Sequence, residues 1–227
     1  MTTKATERRE RFSVAFAIFP ARGAEPPRPS PPDDTLPMPQ PPTRDAALAL
    51  MHQHVQSESL RRHMYSVEAA CRAYARRWGE DEEPYGLAGL LHDYDYEEHP
   101  DEHPLFGVAE LRERGYPEVV VRAILSHYPT RTGVTPESTL ERTLHACDEI
   151  TGLITAAALV RPSRSVMDLE ARSVLKKMKD RAFAAGVDRD EVRRAAEELG
   201  VDLAEHVQFV IEAMRSVAPE LGLAGSD

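Results

Sequence analysis

From Thr43 onward, apolar residues recur every three or four positions and no window alternates strictly between apolar and polar, so the pattern predicts helices and no half-buried strand. The expected fold class is all-α. The clearest segment places Leu60, Met64, Val67, Cys71, Tyr74 and Trp78 on one stripe, with Gly79 as a C-terminal stop. A shorter amphipathic helix over Asp45 to about Gln56 leads into it through Leu48, Met51 and Val55. Pro84 opens a third helix that runs through Leu87, Leu90 and Leu91 to His92-Asp93, and a fourth begins around His103-Pro104 and stops at Gly115. Pro117 starts a fifth, which runs out at His127 before Pro129. Thr135-Pro136 reads as the N-cap and first-turn proline of a long helix carrying Leu140, Leu144, Cys147 and Ile150, with Asp148 in its middle. Beyond Pro162, helical patterns resume over Val166 to Met178, Arg189 to Leu199 and Leu203 to Val217, separated by Gly186 and Gly200. Nothing repeats at a fixed period.

Composition divides the chain in two. Residues 1–43 hold ten of the eighteen prolines and few large apolar residues after Phe19, so they read as a disordered Pro-rich tail, with Met38 as an alternative start. The apolar run Phe12 to Phe19 after Arg8, Arg9 and Arg11 is a weak match to a signal segment, and the proline pairs offer a weak partner-binding motif. Residues 44–223 form the single expected domain, long enough for one sizeable core. A net charge of -10 argues against partners such as a nucleic acid duplex or an anionic membrane, whose phosphates such a field repels. The two cysteines, Cys71 and Cys147, sit in apolar helical patterns without a Cys-x-x-Cys spacing, which points to buried residues in a reducing cytoplasm.

The chemistry gathers on histidines and aspartates. Leu90-Leu91-His92-Asp93 puts an imidazole and a carboxylate side by side at a helix end, where both can reach one cation. His63, His103, His127 and Asp148 each lie on or next to a predicted helix, and helices packed around one core can bring such side chains together. From Glu80 to Glu102 there are ten acidic residues and no lysine or arginine; most read as a solvated loop, while Asp95 and Glu97, close to Asp93, are candidates for general acid or base work. Lys176 and Lys179, on neighbouring turns, can neutralise a phosphate, although a charged outer face explains them equally well. His145, three residues before Asp148, reads as a satisfied structural histidine.

The ordered set of His63 in Leu60-Arg-Arg-His-Met-Tyr-Ser-Val67, Leu-Leu-His92-Asp93, His103-Pro-Leu-Phe-Gly107, Ile124-Leu-Ser-His127 and Ala146-Cys-Asp-Glu-Ile-Thr-Gly152 resembles the HD superfamily of metal-dependent phosphohydrolases. The resemblance runs from about Thr43 to Leu223. Its C-terminal part, with Ala158-Leu-Val-Arg-Pro162, Ser173 to Asp180 and Phe183 to Val187, is similar to a bacterial subgroup of unassigned substrate. The resemblance implies a single HD-type helical domain in which His63, His92, Asp93 and Asp148 hold the primary metal, while His103 and His127 hold a second metal or touch substrate phosphate. Many relatives continue His-Asp with Ile-Gly-Lys; here Tyr94-Asp95-Tyr96 follows, so the usual lysine is absent. Nitrogen and oxygen ligands without thiolate suit one or two open Mn, Co, Ni, Fe or Mg ions better than a closed zinc site, and such an ion activates a water for attack on phosphorus. The expected activity is hydrolysis of a small phosphate ester, with nucleotides foremost. A di-iron HD-type oxygenase and a non-catalytic nucleotide or metal sensor are the alternatives.

Overall fold

A computed structural model describes residues 42–225, so the Pro-rich stretch, its Phe12 to Phe19 run and Met38 lie outside the described residues. The described residues form eleven helices and no strand, as the periodicity predicts. They are α1 Arg44–His54, α2 Glu58–Trp78, α3 Glu82–Leu91, α4 Leu105–Glu113, α5 Glu118–Ser126, α6 Pro129–Thr132, α7 Thr139–Leu159, α8 Ala171–Lys177, α9 Arg189–Leu199, α10 Leu203–Arg215 and α11 Ala218–Leu221. None is long and apolar enough to cross a membrane.

Helix ends follow local chemistry. Ser57 accepts the Leu60 N–H at the start of α2, and Gly79 ends it with φ +71°, a left-handed conformation that a side chain disfavours. Asp188 and Asp202 cap α9 and α10 in the same way, each accepting two backbone N–H groups. The largest departures from the sequence expectation are at two boundaries. The long helix α7 is capped by Ser138 rather than Thr135, because Ser138 Oγ takes the Glu141 N–H while the Glu141 carboxylate reaches back to the Glu137 N–H, satisfying two otherwise free donors. Residues 166–170 are not helical: the Val166 N–H donates to the Leu223 carbonyl at 2.9 Å, so this backbone is tied to the chain's far end and only Ala171–Lys177 coils. The four-residue helices α6 and α11 are too short to show a period and are additions to the predicted set.

The core is formed chiefly where α2 packs on α3 and α7, with Met64, Val67, Tyr74, Leu90, Leu91, Ile150 and Leu153 fully buried. Helix α3 meets α2 through two glycines one turn apart. A Cβ on Gly89 would stand 2.8 Å from the Glu68 Cα and backbone N, so the two backbones touch there. At Gly86 the space of a side chain is taken by the Arg72 guanidinium. That guanidinium and Arg44 together pair the buried Glu68, with Arg44 contacts at 2.6 and 2.9 Å and an Arg72 contact at 2.9 Å, so a carboxylate inside the interface keeps its charge compensated.

The contact at Gly89 is backbone against backbone and cannot yield by rotating a side chain. Gly89→Ala is therefore expected to destabilise the fold by about 1–3 kcal/mol. Gly152→Ala, in α7 with open space around its Cβ position, is expected to stabilise by up to about 1 kcal/mol through helix propensity. Urea unfolding of the two variants checks the pair, and equal midpoints would remove the argument.

Candidate metal centre

Six side chains from separate elements converge at one end of the α2, α3 and α7 packing. His63 comes from the second turn of α2, His92 is the C-cap of α3, and Asp93 follows it in the turn. His103 stands just before α4, His127 is the C-cap of α5, and Asp148 lies in the middle of α7. The sequence-predicted set of His63, His92, Asp93, Asp148, His103 and His127 is thus brought together in full.

The donors fall into two groups that share one residue. His63 Nε2 lies 3.2 Å from His92 Nε2 and 3.0 Å from Asp148 Oδ1, and His92 Nε2 lies 3.5 Å from the same oxygen. On the other side, His103 Nε2 and His127 Nε2 are 3.3 Å apart. Asp93 stands between them: its Oδ2 is 3.5 Å from His92 and 3.9 Å from His63, while its Oδ1 is 3.3 Å from His103 and 3.6 Å from His127. Ligand atoms about 2.0–2.2 Å from a common ion sit roughly 3 Å apart at neighbouring corners of its polyhedron, so these separations fit a cation in each group. The groups His63, His92, Asp148 and Asp93, His103, His127 can each hold a metal ion.

Hydrogen bonds on the outer side of each ring set its orientation. Nδ1 of His92 faces the Gly89 carbonyl at 2.9 Å, and Nδ1 of His127 faces the Ile124 carbonyl. A carbonyl only accepts, so both rings carry their proton on Nδ1 and present an Nε2 lone pair inward. The Thr151 hydroxyl donates to the Asp148 carbonyl at 2.8 Å and is left to accept from His63 Nδ1 at 3.3 Å. Asp95 Oδ1 faces His103 Nδ1 at 2.7 Å. Thr151 lies outside the histidine and aspartate motifs, yet its position three residues after Asp148 on a helix is the signal that places it on the same face.

The electrostatics call for positive charge. Burial alone would lower the His92 pKa, but the Asp93 and Asp148 carboxylates outweigh it and raise it to about 10. Burial would raise both aspartates; His92 overrides it in each case, with His127 adding for Asp93 and His63 for Asp148, and holds them below the usual carboxylate range.

The centre opens into a cleft of about 480 Å³ lined by Asp93, His103, His127 and Asp148, with Tyr96 and Tyr128 on its flanks. Glu149 also lines it and is a second residue the sequence did not single out. Burial, and then the Asp148 charge, raise its carboxyl to about 7. His145 is fixed in the wall, its Nδ1 3.2 Å from the His127 carbonyl and its Nε2 2.6 Å from Glu191, which matches the structural reading. A larger hollow of about 660 Å³ shares His63 with the centre but none of its aspartates.

Three sequence-based assignments change. Asp95 is 1 % exposed and has both oxygens engaged, Oδ1 by His103 and Oδ2 by the Gly107 N–H at 2.7 Å, so it stands behind a histidine and is not a free acid or base in the cleft. Glu97 turns away from the site and accepts the Gln56 and Ser57 N–H groups at 3.0 and 2.9 Å, where it closes the turn between α1 and α2. Lys176 and Lys179 are exposed and do not line the cleft, because α8 buries the opposite face through Val174 and Met178.

Residues 60–153 match the family model described as HD domain. Over those residues the chain is similar to HD domains. All six converging residues lie inside that span, which ends within α7 and leaves α8 to α11 outside it. Comparison with curated proteins and with solved structures gives no match. HD domains bind divalent metals and belong in general to a superfamily of metal-dependent phosphohydrolases.

A cation that binds the folded chain alone stabilises it by mass action, about 2.7 kcal/mol at a hundredfold excess over Kd. Manganese or cobalt added to the metal-free protein is therefore expected to raise the melting temperature, with chelator reversing the rise. His63→Ala is expected to blunt it. A melting curve indifferent to every divalent ion would remove the metal reading.

Proposed function

We propose that this HD-domain protein is a metal-dependent phosphohydrolase that cleaves a small phosphate ester, with nucleotides as the first class to test, and that it works with two divalent ions. The observation that carries the reading is the division of Asp93, whose two oxygens face two separate histidine groups. One ion is assigned to His63, His92 and Asp148 and the other to His103 and His127, with Asp93 between them. Ions bound there would supply an acidified water and neutralise charge on the phosphoryl group.

The chain's own part is orientation and enclosure. Outer hydrogen bonds keep each imidazole lone pair directed inward before any ligand arrives, which removes reorganisation from the binding step. The cleft volume of about 480 Å³ lies in the range of small-molecule sites and leaves room for an ester of modest size. Tyr96 and Tyr128, 49 % and 43 % exposed, offer faces on which a base or another flat group can rest.

The test is a screen of phosphomonoesters and phosphodiesters, mono- and dinucleotides included, with each divalent metal supplied in turn to metal-free protein. Asp93→Ala is expected to abolish metal-dependent turnover with helical content retained, since no core contact depends on it. His127→Ala is expected to reduce turnover severely and to lower metal content by one ion per chain. Retained activity in Asp93→Ala would refute the assignment. Two irons in protein purified without air, together with silence toward every phosphate ester, would favour the di-iron oxygenase instead.

A further inference from the structure

Asp93 and Asp95 lie two residues apart in one turn and address the same histidine from opposite sides. Asp93 Oδ1 is 3.3 Å from His103 Nε2, while Asp95 Oδ1 is 2.7 Å from His103 Nδ1. Asp95 and His103 are 1 % and 3 % exposed, so water does not compete for the hydrogen bond between them. Of the four converging imidazoles, His103 alone has a carboxylate behind it; carbonyls serve His92 and His127, and a hydroxyl serves His63.

The second Asp95 oxygen is also committed, since it accepts the Gly107 N–H at 2.7 Å. Gly107 permits this approach because a Cβ there would stand 2.8 Å from Asp95 Cγ and 2.9 Å from its Oδ2. The Tyr94 hydroxyl donates to the Gly107 carbonyl at 2.8 Å, so the segment carrying His103 hangs from the Tyr94-Asp95 turn at both faces of one peptide neighbourhood.

We propose that Asp95 is the positioning residue of the second metal position: it holds the His103 proton on Nδ1 and thereby keeps Nε2 free to ligate, so that filling of this position depends on it. The proposal rests on the two-ion reading above. A carboxylate oxygen facing Nδ1 as acceptor fixes the tautomer that a metal at Nε2 requires. It also makes the ring a stronger electron donor.

Asp95→Asn separates this role from a packing role because the two side chains have nearly the same shape. In this variant the side-chain carbonyl oxygen can still accept from Gly107, but the amide nitrogen then faces His103 as a donor. His103 Nδ1 must become the acceptor, and the proton moves to Nε2, where it blocks ligation. The reverse amide orientation sets its NH2 against the Gly107 N–H, donor to donor, and is disfavoured.

Two measurements test the proposal. In metal-free wild-type protein with 15N-labelled histidine, at a pH where the ring is neutral, long-range proton–nitrogen correlation is expected to show His103 protonated on Nδ1, and Asp95→Asn is expected to shift the proton to Nε2. Nε2 protonation in the wild type overturns the proposal without any variant. In the second, manganese or cobalt content and affinity are measured for wild type, Asp95→Asn and His103→Gln, with circular dichroism as the folding check. The wild type is expected to take two ions and His103→Gln one, while Asp95→Asn keeps the first ion at wild-type affinity and binds the second about 10–100-fold more weakly. Two ions at wild-type affinity in Asp95→Asn overturn the proposal alone, whereas a wild type that takes at most one ion overturns the two-ion reading and this proposal with it.

Discussion

Electron-pair donors from six side chains, crowded to within 3.9 Å of their neighbours, make a cluster that is stable only around positive charge. Two neutral imidazoles whose Nε2 lone pairs face each other repel, and the adjoining carboxylates add to the repulsion. Without metal, protons are the available cations, and the rise of His92 to about 10 against the pull of its own burial expresses that demand. Protons nevertheless serve poorly, because each satisfies one or two of these donors, whereas an ion with several open coordination positions satisfies a whole group.

A cluster that repels itself when empty has to be held in place by packing elsewhere. The hold comes from α2 and α3, whose backbones touch at Gly89 and Glu68. Gly89 serves twice, since its missing side chain lets α2 approach and its carbonyl orients His92. The fold thus fixes the distance between the His63 and His92 helices and the direction of one ring through a single residue. Glu68 beneath this contact is paired by both Arg44 and Arg72, and Gly86 leaves the opening for the latter. Stability and site geometry are therefore coupled at the α2 and α3 interface, several residues away from any donor atom.

Much of this was legible in the chain. The α2 stripe from Leu60 to Trp78, the Gly79 stop and the bounds of α9 follow from periodicity and capping, because those helices are long or carry local end signals. The six converging residues were legible from the order of the histidine and aspartate motifs. The sharing of Asp93 between the two groups was not. The family resemblance places Asp93 whole in a primary set with His63, His92 and Asp148, and only the turn after α3 reveals that its two oxygens part company. Nearness to Asp93 in sequence makes Asp95 and Glu97 candidates for the reaction, yet a turn points successive side chains in different directions, and hydrogen bonding to His103 and to the Gln56-Ser57 backbone claims them. The Val166 to Met178 helix failed for a related reason: a partner at Leu223, more than fifty residues on, takes the Val166 N–H, and no local window contains that information.

The lysine missing after His92-Asp93 acquires meaning from the cleft. Among the described residues that line it, none is lysine or arginine, while Glu149, Asp188 and Glu191 add carboxylates to Asp93 and Asp148. A phosphate entering the empty cleft would meet a negative field in a partly desolvated space, where such repulsion is poorly screened. On the proposed reading, affinity for a phosphate ester therefore resides almost entirely in the cations, and the loaded and empty chains differ in whether they bind it at all. Linkage makes the dependence mutual: a phosphate ester that binds only the loaded cleft tightens its ions by the same factor. The same lining, acidic and without lysine or arginine, also ranks the substrates by disfavouring those that carry further negative charge beyond the phosphoryl group under attack.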